Sequence, residues 1–316
     1  MNPSPSDSPS YNGRPIRSIQ SLAKAVYCKP QRLAFVSERA SDLYRVAKEV
    51  PKADGTVRRT YDAKKLLKDI HRLIKTEILD RVDFPPYLTG SLKGQDYKSN
   101  AEIHVGAAIV IAEDIGNFFP STTAERVLDI WRNFFRFSAE VAQCLTNLTT
   151  RNNELPQGAI TSPQLANLVF WRNEPQLHAR FKADGVDYSR FVDDVVASSK
   201  TPITPKKKTE IIAAIYGLMK RSGYQPKRRK HELKTARERM TVTTLNVNDT
   251  VGIPKEERSR IRAAVHRLEG LVTSGRGEVD LKHEYAVVAG KVNNLGRFHP
   301  GEARTLRERL AALDLC

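Results

Sequence analysis

An apolar hairpin pattern interrupted by two acids constrains this chain more than any other feature. Residues 188–199 read Tyr-Ser-Arg-Phe-Val-Asp-Asp-Val-Val-Ala-Ser-Ser. The β-branched and aromatic residues on both sides of Asp193 and Asp194 predict two strands joined by a tight turn that presents both carboxylates. Acids between apolar strands cost folding free energy unless a cation or hydrogen bonds satisfy them. The pattern therefore predicts a platform for a divalent metal ion, with a plain turn built from aspartate as the alternative.

A second strand is predicted to end in a carboxylate as well. Residues 105–112 form a continuous apolar run, which is typical of a strand buried on both faces, and Asp114 and an aromatic pair follow. Two buried strands that each deliver a carboxylate can hold hard, oxygen-seeking cations such as Mg²⁺. Two ions about 3.5–4 Å apart are the usual device for phosphoryl transfer to a hydroxyl. Phosphoryl transfer is therefore the predicted chemistry.

The charge of the chain predicts a polyanionic partner. The 316 residues carry a net charge of +16, and basic runs stand at residues 205–208 and 227–230. Phosphates neutralised by such cations release counterions, which favours nucleic acid as the partner. An anionic membrane is the alternative, but no long amphipathic basic helix supports it. No apolar run approaches the ~20 residues that span a bilayer, so no membrane partner is predicted.

The cysteines and the N-terminus predict a cytoplasmic protein. Cys28, Cys144 and Cys316 are odd in number and far apart, which fits a reducing compartment without a disulfide framework or a cysteine-based zinc site. The N-terminus is rich in proline and serine and has no apolar core, so it is not a secretory signal. Its composition predicts disorder over residues 1–18.

Periodicity predicts the remaining elements. Helices are predicted over residues 18–26, 63–78, 122–137, 205–221, 254–268, 281–292 and 301–313. Asp54 and Gly55 predict a hairpin turn, and high β propensity predicts a strand over residues 240–248. We find no internal repeat.

Two polar segments are candidates for ligand contacts. Gly158 in a Leu-Pro-Gln-Gly loop lets the backbone approach a ligand closely, and Ser162 with Pro163 is predicted to cap the next helix. A glycine loop that opens a helix is a natural phosphate contact, although many loops share this pattern. Asn100 and His104 are spaced so that a helix would place both on one face. A lone histidine is more often structural than catalytic, so both interpretations of His104 stay open.

Taken in order, these motifs resemble those of reverse transcriptases, specifically the bacterial retron type. The ordered set is Asp-Ile-x-x-Phe-Phe at residues 114–119, Leu-Pro-Gln-Gly at 155–158 and Phe-Val-Asp-Asp at 191–194. Retron-like marks are Asn-Ala-Glu-Ile-His at residues 100–104 and Val-Thr-Thr at 242–244.

The chain departs from the family pattern at three places. Phe191 stands where tyrosine is usual, and Thr244 replaces the glycine of Val-Thr-Gly. Gln95 and Asp96 stand where Arg-Ser is common, which puts the triphosphate contacts of that segment in doubt. None of these changes removes a metal ligand, so the resemblance implies an active enzyme.

The resemblance implies an α+β fold of the right-hand polymerase type. Residues 19–103 and about 138–163 would form the fingers. Residues 104–249 would form a palm with an antiparallel sheet, and residues 250–316 a helical thumb. Residues 1–18 would precede the hand as a disordered tail.

The resemblance also implies roles for individual residues. Asp114, Asp193 and Asp194 would be catalytic and, with Ile115, would bind two Mg²⁺ ions, with Mn²⁺ as an alternative metal. Phe119 would be a steric gate against a ribose 2′-OH, while Phe118 packs in the core. The further residues implied to contact the dNTP are Gln157, Gly158, Lys93 and Lys230, the last near the leaving pyrophosphate. Those implied to contact RNA or the template–primer are Asn100, His104, Arg258 and Arg262.

The implied function is RNA-directed DNA synthesis on a cognate structured noncoding RNA. Enzymes of the retron type prime from a guanosine 2′-OH and make a short branched RNA–DNA hybrid (msDNA), usually in anti-phage defence with an effector protein encoded nearby. A group II intron-like or other defence reverse transcriptase is one alternative, against which the lack of a maturase or endonuclease extension argues. A non-catalytic RNA-binding protein on a polymerase fold is the other. The intact Asp114, Asp193 and Asp194 argue against it.

Overall fold

The computed structural model describes residues 7–51, 55–274 and 280–313. Helices and mainly antiparallel strands are mixed along the chain, which confirms the predicted α+β class. The strands are β1 (Ser10–Tyr11), β2 (Tyr44–Pro51), β3 (Val57–Ala63), β4 (Val82–Asp83), β5 (Ile109–Gly116), β6 (Asp187–Phe191), β7 (Asp194–Ser199), β8 (Gln225–Pro226), β9 (Glu232–Thr235), β10 (Thr241–Val242) and β11 (Leu245–Asn246). The turn of the predicted hairpin between β2 and β3 includes Asp54, which lies outside the described residues.

The helices fall before, between and after these strands. They are α1 (Ile19–Ala25), α2 (Pro30–Glu38), α3 (Lys65–Glu77), α4 (Tyr97–Glu102), α5 (Phe118–Ser121), α6 (Ala124–Asp129), α7 (Ala139–Thr149), α8 (Ser162–Leu168), α9 (Glu174–Ala183), α10 (Pro205–Arg221), α11 (Lys255–Ser274), α12 (Leu281–Gly296) and α13 (Pro300–Ala311). Short 3₁₀ turns span Ala40–Leu43, Leu79–Arg81 and Arg228–Lys230.

A five-stranded antiparallel sheet lies at the centre of the molecule. Its order is β6-β7-β5-β8, and β9 also pairs with β5. Alternate residues of β5 enter two different cores, Ile111 on one face and Val110 on the other. This confirms the prediction that the strand is buried on both faces.

The two cores divide the helices. The larger one joins the first sheet face to α1, α2, α3, α6, α7, α8 and α10. The smaller one joins the second face to α4, the β10–β11 hairpin and the last three helices. Arg297 in the turn after α12 contacts Asp96, and the Tyr97 hydroxyl donates to Asn294 at 2.5 Å. The C-terminal helices are therefore fixed to the segment that precedes the sheet.

The N-terminal segment corrects the prediction of disorder. Asp7 is buried, and β1 pairs with β4. Tyr11 packs edge-on against Phe135, with ring centroids 4.7 Å apart, and Ile16 is buried. Proline and serine dominate the composition, but these few apolar anchors are enough to order the chain from Asp7 onward. Residues 1–6 lie outside the described ranges.

Two predicted elements differ in form. The helix predicted over residues 122–137 changes from α6 to a π-helical turn at Ile130–Phe134. The strand predicted over residues 240–248 is a hairpin of two short strands, because Thr243 and Thr244 have φ angles of 46° and 73°. Left-handed backbone at both turn positions defines the turn that matches strand twist. Local β propensity does not indicate such a reversal.

Among the described residues, none of the helices is long and apolar enough to cross a membrane.

The left-handed conformation of Thr244 yields a stability prediction. A β-branched residue is strained there, whereas glycine adopts this conformation freely. We expect Thr244→Gly to raise the free energy of unfolding by about 1 kcal/mol, after the larger backbone entropy of unfolded glycine is subtracted. Urea denaturation would measure this change. Thr243→Gly is the matched control, because it also removes the 2.9 Å hydrogen bond from Thr243 Oγ1 to the Tyr97 carbonyl. An unchanged or lower stability of Thr244→Gly would contradict the strain.

Candidate active site

The β6–β7 hairpin presents its two acids from different positions. Phe191 pairs with Asp194, so the two-residue turn consists of Val192 and Asp193, and Asp194 is already part of β7. The hairpin is as predicted, but only one of the two acids lies in the turn itself. Asp194 stands directly opposite Asp114 on β5. Opposed residues of antiparallel strands point to the same face, so the three acids converge at one end of the sheet.

Buried contacts hold this turn in a strained conformation. Val192 has a φ of 60°, which is unfavourable for a β-branched residue. The fully buried Arg190 donates from Nη1 to the Val192 carbonyl at 3.0 Å. Arg190 also makes a bidentate ion pair with Glu174, at 2.7 and 2.8 Å. Gly90 packs so closely that a Cβ there would lie 2.4 Å from the Val192 nitrogen. The surrounding structure therefore determines where Asp193 lies.

The three carboxylates concentrate negative charge at one end of the sheet, and their environment shifts the pKa values of two of them. Burial, and next the charge of Asp114, raise the pKa of Asp193. Burial and the charges of Asp193 and Asp114 raise the pKa of Asp194 to about 6. The Lys230 ammonium contacts Asp114 Oδ2, and this hydrogen bond is the largest cause of the raised pKa of Lys230. A cation at this cluster relieves repulsion between the carboxylates.

The carboxylates suit a hard divalent cation in donor type. In the ranges that the structure covers, no group of three or more His, Cys, Asp or Glu side chains is arranged to hold a metal ion as it stands. Asp114 instead accepts a hydrogen bond from Lys230, whose ammonium group occupies the place of a metal cation. Asp114, Asp193 and Asp194 are the residues that would hold a metal. Burial, together with the charges of the neighbouring aspartates, raises the pKa of both Asp193 and Asp194, and a bound cation would offset both effects.

A cleft of about 840 Å³ opens onto Asp114 and Asp193. The cations that line it are Arg58, Arg59, Lys227, Arg229 and Lys230. Phe119, Tyr61 and Ile115 also line the cleft. Phe118 borders it too, but is 3% exposed and packs 5.4 Å from the Tyr224 ring. The cleft therefore combines acids, cations and the half-buried aromatic rings of Phe119 and Tyr61, which suits a phosphate-bearing ligand.

The loop of Gln157 and Gly158 forms another wall of the cleft. The Tyr61 amide of β3 donates to the Gln157 carbonyl at 2.8 Å. Gly158 has a φ of 103°, and a Cβ there would lie 2.8 Å from the Tyr61 carbonyl oxygen. The backbone of Gly158 was predicted to approach a ligand closely, but in the structure it approaches β3. Thr161 precedes α8 in place of the predicted cap Ser162, whose hydroxyl donates to the Pro156 carbonyl at 2.7 Å.

Asn100 and His104 are buried rather than available to RNA. Both residues are 0% exposed. Asn100 Oδ1 accepts from the Thr89 hydroxyl at 2.7 Å. His104 lies beyond the end of α4 and bridges the hydroxyls of Ser198 and Ser189, each at 2.8 Å. Burial lowers the pKa of His104 to about 3. Their packing corrects the prediction that they contact RNA.

The other predicted contacts lie away from the carboxylates. Lys93 is exposed in a turn and is not part of the described cleft lining. Arg258 and Arg262 both contact Glu302, so they fix α11 to α13. Their side chains remain 30% and 44% exposed, and RNA contact by them stays a prediction.

Sequence reasoning missed Arg190, Glu174 and Arg58 as parts of the site. The signal for Arg190 was a basic residue between Tyr188 and Phe191 in a predicted buried strand, where a partner must neutralise its charge. The charge of Arg58 lowers the pKa of Asp193, against the larger effect of burial. No local pattern pointed to Glu174, 16 residues before Arg190.

The chain is similar to several known proteins. The family model "Reverse transcriptase (RNA-dependent DNA polymerase)" matches residues 50–256. The chain is 33% identical to the Retron Se72 reverse transcriptase of Salmonella heidelberg, over 96% of this chain and 82% of that protein. It is 28% identical to the Retron Ec48 reverse transcriptase of Escherichia coli, over 96% and 78%. An apo telomerase from Candida tropicalis has a TM-score of 0.45 at 10% identity, over 70% of this chain and 60% of that chain.

The contact between Gly158 and β3 predicts a large cost for a side chain. We expect Gly158→Ala to lower the free energy of unfolding by about 2–4 kcal/mol, from left-handed strain plus displacement of β3. Gly185→Ala is the matched control, since Gly185 has a φ of 68° but, apart from its chain neighbours, none of the described residues has an atom within 4 Å of a built Cβ. It should cost only about 1 kcal/mol. If urea denaturation shows that both variants lose the same unfolding free energy, the steric explanation is contradicted.

The raised pKa of Asp194 predicts how stability depends on pH. The folded chain holds the proton of this carboxyl up to a pKa of about 6, against 3.8 for an unperturbed group. The native state therefore loses stability as pH rises through that window. We expect Asp194→Asn to unfold at a higher temperature than the wild type at pH 7.5. The gap should shrink as pH falls through 6 toward 4, as followed by thermal melts.

Asp249→Asn provides the control for this comparison. Asp249 is exposed and far along the chain from the cluster, so its substitution removes one negative charge without relieving the carboxylates. A pH-independent gap for Asp194→Asn, or an equal gap for Asp249→Asn, would show that charge convergence does not destabilise the fold.

Proposed function

The chain belongs to the retron reverse transcriptases, and from that premise we propose that it copies part of a cognate structured noncoding RNA into short single-stranded DNA. It is an RNA-directed DNA polymerase with the right-hand fold of that enzyme class. The observation that carries the proposal is the convergence of Asp114, Asp193 and Asp194 at a cleft lined with cations. Such a cleft suits transfer of a nucleotidyl group from a dNTP to a hydroxyl.

We propose the following division of the hand. The fingers comprise residues 19–103 and about 138–163, including the β2–β3 hairpin. The palm comprises residues 104–249 with the five-stranded sheet, and the helices from residue 250 onward form the thumb. Helices α11, α12 and α13 pack together in the smaller core, which they share with α4, the β10–β11 hairpin and one face of the sheet. The N-terminal segment contacts the palm through Tyr11 and pairs with β4 of the fingers.

Reverse transcriptases depend on divalent metal, and we propose two Mg²⁺ ions, with Mn²⁺ as an alternative. Asp114, Asp193 and Asp194 would hold them, with Ile115 beside Asp114. When bound, the ions activate the primer hydroxyl and neutralise the triphosphate. The protein's own contribution is to fix these carboxylates through the β5–β7 register and the Arg190 contacts.

Other side chains would bind and select the nucleotide. Arg58 and Arg59 reach the cleft from β3, and Lys230 would bind the leaving pyrophosphate. Phe119 lines the cleft beside Asp114, where its ring would clash with a ribose 2′-OH. Gln157 and Gly158 would form the wall against the incoming base. Lys93 would require movement of its turn to reach the phosphates.

Priming and biological role extend the proposal further. A guanosine 2′-OH of the same RNA would prime synthesis and give a branched RNA–DNA molecule, in anti-phage defence with an effector protein encoded nearby. The relatives named as retron reverse transcriptases support this role. The net charge of +16 suits a large folded RNA and its hybrid. Arg258 and Arg262 remain candidates for contacts with that duplex.

The test is to express the chain with its flanking noncoding DNA and to extract total nucleic acid. We expect a short single-stranded DNA joined to RNA in the wild type. No product should form in the Asp193→Asn/Asp194→Asn variant, because both carboxylates are needed at the reacting phosphate. Gel mobility before and after ribonuclease treatment measures the branch.

Three outcomes would change the proposal. Ordinary extension of an annealed primer without a branched product would indicate a reverse transcriptase of another biological type. If neither assay yields a DNA product, a non-catalytic RNA-binding protein is favoured. A branched product from the double variant would overturn the assignment of the carboxylates.

A further inference from the structure

The chain leaves the edge of the central sheet beside Asp114. Ile115 pairs with Pro226, and Ala112 pairs with Glu232. Residues 227–231 thus form a five-residue bulge opposite only Glu113 and Asp114. The bulge includes the 3₁₀ turn Arg228–Lys230 and is held at its start by the Lys227 amide, which donates to the Asp114 carbonyl at 2.8 Å.

The last two residues of the bulge contact these two acids separately. Lys230 contacts Asp114 on the cleft side. Its neighbour His231 donates from Nδ1 to Glu113 Oε1 at 2.6 Å. Successive residues of a strand point to opposite faces, so Glu113 points to the sheet face opposite Asp114, the face on which α10 packs. The bulge is therefore bound to both faces of β5 at the same place.

Glu113 is unusual because its carboxylate is fully buried. The side chain is 0% exposed, and its second oxygen accepts from the Tyr216 hydroxyl of α10 at 3.1 Å. A buried carboxylate is costly unless it is paired and hydrogen-bonded. An apolar residue would fill this strand position at no such cost. The presence of a charged residue is better explained by its hydrogen bond to His231, which fixes the bulge to β5.

We propose that Glu113 and His231 are positioning residues for Lys230, with Tyr216 orienting the Glu113 carboxylate. The inference rests on the proposed role of Lys230 at the leaving pyrophosphate. A lysine side chain is long and flexible, so its reach is set by where its backbone is fixed. The hydrogen bond of His231 fixes the residue directly after it. Neither Glu113 nor His231 is part of the described lining of the cleft.

The test measures nucleotide incorporation in the full-length protein on an RNA template with an annealed DNA primer. Single-turnover rates are recorded over a dNTP titration for the wild type, Lys230→Ala, His231→Ala and the double variant. We expect His231→Ala to lower the maximal rate by about tenfold or more, because small misplacements of a reacting group are costly. The apparent dNTP affinity should change by less than about twofold. In the Lys230→Ala background, the same substitution should change the rate by less than about twofold.

Two further variants separate positioning from general stability. His231→Asn places an amide donor near the position of Nδ1 and should restore most of the rate. His283→Ala is the matched control, since His283 is exposed on α12, and it should leave the rate unchanged. Thermal melts of every variant confirm that the folded protein is compared.

The outcomes distinguish this inference from the function on which it rests. Suppose that Lys230→Ala lowers the incorporation rate and that adding His231→Ala lowers it further by the same factor as in the wild-type background. Lys230 then has the proposed role, but the positioning role of His231 is overturned. A folded His231→Ala variant with the wild-type rate also overturns it. If Lys230→Ala itself incorporates normally, the proposed role of Lys230 fails, and the inference fails with it.

Discussion

Repulsion between carboxylates is the constraint on which the rest of this structure depends. The β5–β7 register places Asp114 opposite Asp194, and the hairpin turn adds Asp193 at the same edge. Such an arrangement is unfavourable, and burial together with the charges of Asp193 and Asp114 raises the pKa of Asp194 to about 6. Two devices make it tolerable: the Lys230 ammonium at Asp114 and the Arg190 contacts that fix the turn. Lys230 comes from the segment after β8, whereas Arg190 lies in β6 of the same hairpin and is held by Glu174.

The parts of the site that follow from local patterns were predictable. A continuous apolar run identifies β5, and a β-branched hairpin identifies β6 and β7, so the carboxylates could be placed on neighbouring strands. Pairs that join distant parts of the chain could not be found in this way. Arg190 with Glu174, Gly158 with Tyr61 and His231 with Glu113 depend on tertiary packing, which has no period along the sequence.

The wrong predictions share a physical cause. Composition indicated disorder over residues 7–18, yet Tyr11 and its ring contacts order that segment. Spacing placed Asn100 and His104 on one helical face, but α4 ends at Glu102 and both side chains pack inside. β propensity indicated one strand where Thr244 reverses the chain. In each case the prediction rested on a local property, namely composition, helical spacing or β propensity. The free energy of a few tertiary contacts exceeds the preference that such a local property expresses.

Lys230 has two effects that act in opposite directions when it is removed. As a counter-ion it offsets the repulsion at Asp114, so its loss would destabilise the native carboxylate cluster. As a competitor for Asp114, it also occupies an oxygen that a divalent cation would use, so its loss would favour cation binding. A change at Lys230 alone therefore mixes folding, metal affinity and chemistry. Displacing the bulge through His231 keeps the ammonium in the protein and changes where it lies, and the accompanying cost of leaving Glu113 with Tyr216 alone is read separately from the thermal melts.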